Sequence, residues 1–395
     1  MQESPPLSPG AVFDYLRALT YEEKGYEMIQ AVASRLMARV LTTCVVLGLV
    51  AFSTPSRAAQ PSAPGALPTV VVLSTGGTIA GRGTSLTEYK AGSILGSELV
   101  EAVPEIKNHA NVRVEQIINI GSTNMNTAVW LKLASRINAI FSEEPAVAGI
   151  VITHGTNTLE ETAYFLNLTV KDERPVVLVG AQRPATGTSA DGPLNLLNAI
   201  RTAGAPVARG KGVLVVMNEE INGARDVTKS NTYRVEAFRS GELGFLGYVD
   251  EDQVSFYRAS TKRHTSRSEF DVSKLSALPK VEILYAYAEP STVTIKALGD
   301  SGVDGIVFAG TGAGGLSNLE RAAIKAFGVN PTNQKPVVVR SNRTGNGRAI
   351  PRKEYDAEGM VPGDNLNPQK ARILLMLALT KTRDLNEIRR MFSEY

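Results

Sequence analysis

Short apolar runs recur along the chain at 69–73, 112–120, 148–153, 175–179, 212–217, 281–287, 305–309 and 336–339. They are rich in Val and Ile and mostly unbroken by polar residues, which suits parallel strands buried on both faces rather than half-exposed antiparallel ones. Helical patterns lie between them, as at 160–168 and 319–327; in the second, Leu319, Ala322, Ala323, Ala326 and Phe327 fall on one face. Strand-helix alternation of this kind predicts an α/β fold with a doubly wound, mainly parallel sheet. The rhythm breaks over 258–276, which is charged and poor in apolar residues. The pattern therefore predicts a large domain over 69–260, a connection over 261–279 and a smaller α/β domain over 280–395.

In sheets of this class, ligands bind outside the carboxyl ends of the strands. The first run empties into Ser74-Thr75-Gly76-Gly77-Thr78, the third into His154-Gly155-Thr156-Asn157-Thr158, and the fourth into Gly180-Ala181-Gln182-Arg183-Pro184. Thr158-Leu159-Glu160-Glu161 matches a capping box and predicts a helix start beside Thr156, where free N–H groups favour developing negative charge. Two readings of the first turn stand open. The glycines turn the chain and the threonines satisfy local backbone, or Thr78 is a nucleophile whose glycine neighbours let substrate approach. Neither G-x-G-x-x-G nor G-x-x-x-x-G-K-[ST] is present there, so a phosphate loop is rejected.

A hydroxyl nucleophile needs a base. The chain has His109, His154 and His264, none beside a G-x-S-x-G motif, and too few for a catalytic zinc site. His154, beside a strand end, reads better as a structural hydrogen-bonder than as the base. Lys229 follows the fifth run by about a dozen residues. It is an ordinary solvated lysine unless the fold carries it to the strand-end cluster.

Composition adds limits more than content. With 395 residues, 43% apolar and 21% charged, the chain is an ordinary globular one. A net charge of +3 with scattered Lys and Arg gives no nucleic-acid footprint. Near the N-terminus, Arg35 and Arg39 precede an apolar run over 40–52, and Ser56-Arg57-Ala58 follows. This is the pattern of a secretory signal over about 28–58, and the run is short of the ~20 residues that span a bilayer. Residues 1–27 are then an overhang from a start codon placed too early. Cleavage after Ala58 leaves the charge at +3 and removes Cys44, the single cysteine. The expected product is exported, periplasmic or secreted, free of membrane, with neither disulfide nor thiol nucleophile and with a flexible lead-in over 59–68.

Five blocks in one order, "LSTGGTIAG", "VITHGTNTLEETAYFLNLTV", "VGAQRPATGTSADGPLNL", "RDVTKSNT" and "LNPQKARILLMLALT", resemble the bacterial type II (exported) L-asparaginases from about Leu67 to Tyr395. The resemblance implies hydrolysis of the side-chain amide of L-asparagine to aspartate and ammonia, with some L-glutamine activity in scope. It implies no metal or cofactor, and a homotetramer with sites at subunit interfaces. Thr78 matches the family nucleophile, Tyr89 the tyrosine of the active-site loop, and Thr156 and Lys229 the second threonine and its lysine. Ser122 matches the serine that holds the substrate α-carboxylate, and Ala181 the alanine whose backbone contacts the amide. Glu354 matches a glutamate contributed by a neighbouring subunit.

Three positions depart from the family pattern. Asn157 stands where the family has an aspartate that grips the α-ammonium, Thr123 where it has glutamine or glutamate, and Gly315 where it has Asn or Ser. All three lie on the shell that recognises an α-amino acid, and a lost charge partner there typically costs ~2–5 kcal/mol. Two alternatives to an asparaginase remain: an amidohydrolase for a different amide, and an exported amino-acid-binding protein without turnover.

Overall fold

The computed structural model describes residues 65–83, 88–328 and 334–395. The expected leader and most of the lead-in lie outside them. In the large domain the strands are β1 (Thr69–Gly76), β2 (Arg82–Gly83), β3 (Tyr89–Lys90), β4 (Asn111–Ile120), β5 (Val147–Thr153), β6 (Val176–Val179), β7 (Val213–Met217), β8 (Glu220–Gly223), β9 (Thr228–Lys229), β10 (Phe238–Arg239), β11 (Gly247–Val249) and β12 (Val254–Phe256). Its helices are α1 (Gly96–Glu101), α2 (Thr127–Glu143), α3 (Leu159–Thr169) and α4 (Gly192–Gly204). The main sheet has eight strands in the order β12-β11-β8-β7-β6-β5-β1-β4. From β4 to β7 the pairing is parallel; β8, β11 and β12 extend it antiparallel.

The fold class is as the pattern predicts: a doubly wound, mostly parallel sheet followed by a smaller α/β domain. Each of the first five apolar runs forms a parallel strand. Helices α2 and α3 cover one face through residues such as Leu133, Ile137 and Phe165, and α4 covers the other through Leu196 and Ile200. The three antiparallel strands escape the sequence pattern because they are only three or four residues long and carry few apolar positions.

The small domain carries β13 (Val281–Tyr285), α5 (Thr292–Asp300), β14 (Gly305–Gly310), α6 (Asn318–Lys325), β15 (Val337–Asn342), α7 (Lys353–Asp356), β16 (Met360–Pro362), α8 (Pro368–Leu379) and α9 (Leu385–Glu394). Its four strands are parallel and in chain order. Helix α8 packs between its own sheet and α3, so one apolar cluster runs through both domains. Between 261 and 279 the chain has only a single 3₁₀ turn, Thr265–Arg267, and is fastened to α9 by Arg263–Glu394 (2.7 Å) and Glu269–Arg390 (3.0 Å). Among the described residues, no helix is long and apolar enough to cross a membrane.

One local expectation fails. Thr158 is the N-cap residue of α3, but its side chain makes no capping hydrogen bond. Its hydroxyl instead donates to the Ser122 carbonyl, 2.7 Å away, fastening the β4 exit to the β5 exit. The T-x-x-E spacing was right for the helix start, and a tertiary partner took the hydroxyl.

Candidate active site

The turn after β1 needs its two glycines. Gly76 and Gly77 have φ of 101° and 84°, where L side chains are strained. A Cβ on Gly77 would come within 2.3 Å of the Gly155 backbone, and one on Gly76 within 2.6 Å of the Ile120 carbonyl. Neighbouring strand exits can therefore meet backbone to backbone. The two hydroxyls before the glycines are fasteners: Thr75 Oγ1 donates to the Thr153 carbonyl (2.8 Å), and Thr153 Oγ1 donates to Ser74 Oγ (3.1 Å). Thr78 follows in a short 3₁₀ turn, its Oγ1 2.9 Å from Tyr89 Oη. Tyr89 lies on β3, which pairs with β2, and is partly exposed.

Beyond β7 the chain turns back through β8 and reaches β9, where Lys229 pairs with Phe238 of β10. This carries the lysine to the strand-end cluster. Its Nζ donates to Thr156 Oγ1 at 2.8 Å and to Asn157 Oδ1 at 3.4 Å. Burial pushes its ammonium below the ordinary lysine range, toward the neutral amine. Thr78, Tyr89, Thr156, Asn157 and Lys229 line one cavity of about 680 Å³ at the carboxyl edge of the sheet.

Six lining residues had not been singled out for the site: Glu160, Gln182 and the four that follow Lys229, Ser230 to Tyr233. Glu160, in the first turn of α3, accepts the Lys229 backbone N–H with Oε2 at 3.0 Å. Gln182 has its backbone N–H taken by Asp191 (2.9 Å), while its side-chain Nε2 is buried and has no partner among the described residues. The sequence signal for Gln182 was its place at a strand exit; for Glu160 there was only the capping-box spacing.

Other candidates fall outside the cavity wall. Ser122 is buried, and its Oγ accepts the Asn157 N–H at 3.1 Å. Thr123, the next residue of the same 3₁₀ turn, is exposed, and Ala181 is fully buried at the β6 exit. In the small domain, Glu354 is exposed on α7, and Gly315 exchanges backbone hydrogen bonds with Thr311 (2.7 and 2.9 Å) in a tight loop. None of these five lines the cavity among the described residues.

His154 is fully buried, and its contacts fix its tautomer. The Gly155 carbonyl can only accept, so Nδ1 carries the hydrogen (2.7 Å) and Nε2 accepts from Thr162 Oγ1 (2.9 Å). Thr162 in turn accepts from Trp130 Nε1 at 2.8 Å. Burial lowers the imidazole pKa from 6.5 to about 4, so His154 is neutral and structural, as the sequence suggests. The unfolded chain binds this proton below about pH 6.5 and the folded one only near 4. Stability is therefore lost as pH falls through that window, by about 3 kcal/mol from this group at its limit. His264, also lowered to about 4 mainly by burial, adds a loss of the same sign. Urea midpoints measured from pH 7 to 4 are expected to fall, and to fall less steeply in His154→Gln; an unchanged slope in the variant would contradict this assignment.

Among the described residues, no group of three or more His, Cys, Asp or Glu side chains is placed to hold a metal ion. The "Asparaginase, N-terminal" family model matches residues 69–262, and the "Glutaminase/Asparaginase C-terminal domain" model matches 280–392. L-asparaginase 2 of Bacillus subtilis (strain 168) is 51% identical over 333 residues, 83% of this chain and 87% of the relative. A glutaminase-asparaginase of Pseudomonas fluorescens biotype A is 44% identical over 356 residues, 88% and 96% of the two chains. The crystal structure of a probable cytoplasmic L-asparaginase from Campylobacter jejuni aligns with a TM-score of 0.79 at 46% identity, covering 83% of this chain and all of that one. Both halves of the chain, in order and nearly to its end, thus match a single group of proteins: the chain belongs to the asparaginase family.

Proposed function

We propose that the protein hydrolyses the side-chain amide of L-asparagine to L-aspartate and ammonia, with secondary activity on L-glutamine. One observation carries this: two hydroxyls, Thr78 with Tyr89 and Thr156 with Lys229, share one cavity at the carboxyl edge of the sheet. Thr78 Oγ1 attacks the amide carbon. Tyr89 takes its proton while passing its own to the departing nitrogen, so that ammonia leaves and an ester remains on Thr78. Water then attacks the ester, giving one proton through Thr156 to Lys229 in its amine form, while Tyr89 returns a proton to the Thr78 oxygen. The new carboxylic acid reprotonates the Tyr89 phenolate, and Lys229 releases its proton to solvent, so that aspartate leaves and both groups are reset. Backbone N–H groups at the strand exits and the α3 start stabilise the oxyanion, where one donor is typically worth ~3 kcal/mol.

Recognition belongs to the same proposal. Ser122 Oγ accepts from Asn157 and keeps its own hydroxyl hydrogen for the substrate carboxylate. Glu354, exposed and outside its own chain's cavity, fits a residue contributed to a neighbouring subunit of a homotetramer. Export rests on the leader pattern over 28–58. Asn157 favours a second reading: its amide oxygen already accepts from Lys229, and it brings no charge to hold an ammonium. The decisive measurement is ammonia release from L-asparagine, L-glutamine and succinamic acid, which is asparagine without its amino group. Asparagine is expected to give the highest kcat/KM; a preference for succinamic acid would support the second reading, and release from none would refute both.

A further inference from the structure

Lys229 owes its place to contacts made from the other domain. In the first turn of α8, Lys370 is 1% exposed, and its ammonium donates to two backbone carbonyls, Arg225 (2.8 Å) and Val227. Those carbonyls stand just before β9. Its neighbour Gln369 donates from Nε2 to Glu160 Oε1 at 2.6 Å, and Glu160 Oε2 accepts the Lys229 N–H at 3.0 Å. The strand that presents Lys229 is thus gripped from α8 by its carbonyls on one side and, through Glu160, by its N–H on the other. Arg225 adds a third tie, donating to Asn365 Oδ1 (2.7 Å) and the Tyr395 backbone oxygen (3.0 Å).

A buried ammonium in a helix whose other buried side chains are apolar is an expensive way to stabilise a fold. Replacing buried charge by well-packed apolar side chains is often neutral or stabilising. Among the described residues, the charge meets no acidic side chain in hydrogen-bond contact; it meets the backbone that leads to Lys229. Such a contact fixes where that backbone runs.

Resting on the assignment of Lys229 to the reaction made above, we propose that Gln369 and Lys370 are positioning residues: the small domain holds residues 225–229 so that Lys229 Nζ stays within hydrogen-bond reach of Thr156. Neither residue lines the cavity that holds Thr78 and Thr156. They act through Lys229, and their loss should therefore appear in turnover rather than in substrate affinity.

The test uses the full enzyme with Gln369→Leu, Lys370→Met and Lys370→Arg, and Lys229→Met in parallel, each first checked for fold by circular dichroism. Misplacement of a catalytic group by about 1 Å costs on the order of 100-fold. Lys370→Met is expected to lose kcat on that scale and Gln369→Leu roughly a tenth of it, with KM for asparagine unchanged. Lys370→Arg, which keeps a charged donor, is expected to recover part of the loss. Gln369 is only partly buried, so Gln369→Leu decides the matter where Lys370→Met does not fold. Wild-type kcat in a folded Gln369→Leu or Lys370→Met protein, or a change confined to KM, overturns the proposal. If Lys229→Met itself keeps wild-type turnover, the failure lies with Lys229; if that variant is inactive while the α8 variants are not, it lies with the positioning role alone.

Discussion

Thr78→Ala is expected to lower kcat for asparagine by roughly 10⁴-fold or more while leaving the protein folded, because removal of the proposed nucleophile leaves only binding and oxyanion stabilisation behind. The structural cost is small. Thr78 contributes one side-chain hydrogen bond, to the partly exposed Tyr89 hydroxyl, which water can replace; such a loss is worth about 1 kcal/mol. The turn itself is set by Gly76 and Gly77 and by backbone bonds such as Gly77 N–H to the Ile120 carbonyl (2.9 Å), none of which uses the Thr78 hydroxyl. Ammonia release should therefore collapse at an almost unchanged unfolding midpoint. A variant within tenfold of wild-type kcat would remove Thr78 from the nucleophile's role.

Lys229→Met should lower kcat by roughly 10²- to 10⁴-fold, the usual range for losing a positioned acid or base. Methionine keeps the unbranched stem and deletes the charge. Thr156 then loses its donor at 2.8 Å, and no other side chain bonds its hydroxyl among the described residues. The pH profile carries the sharper signature. The proposed role needs the neutral amine, so the acidic limb of kcat/KM reports its protonation, and burial places that limb below the ordinary lysine range. The variant's residual activity should lack that limb. A variant that keeps both the limb and the rate would show that another group serves as base.

The parallel strands and the chemistry at their exits were legible because period and punctuation agree: Val- and Ile-rich runs ending in Gly-Gly or His-Gly. Lys229 was not legible in that way. It sits after a turn and a short strand whose pairing depends on β7, so spacing alone left it an ordinary lysine, and the resemblance to the asparaginases singled it out. Glu160 and Lys370 are hidden for a related reason. Both stand among mostly apolar buried positions of their helices, and their partners lie 69 and about 145 residues away in sequence. The Thr158 cap shows the opposite error, where a sound local motif gave way to a tertiary bond.

Trp130 is the only tryptophan in the chain. It stacks on Phe165 at 5.3 Å and begins the chain of hydrogen bonds that runs through Thr162 and His154 to Gly155, whose backbone faces Gly77. The intrinsic fluorescence of the unlabelled protein is therefore a one-residue reporter seated behind the floor of the pocket. Emission that stays constant while turnover vanishes marks a variant that has lost its chemistry, and a shifted emission marks one that has lost the floor.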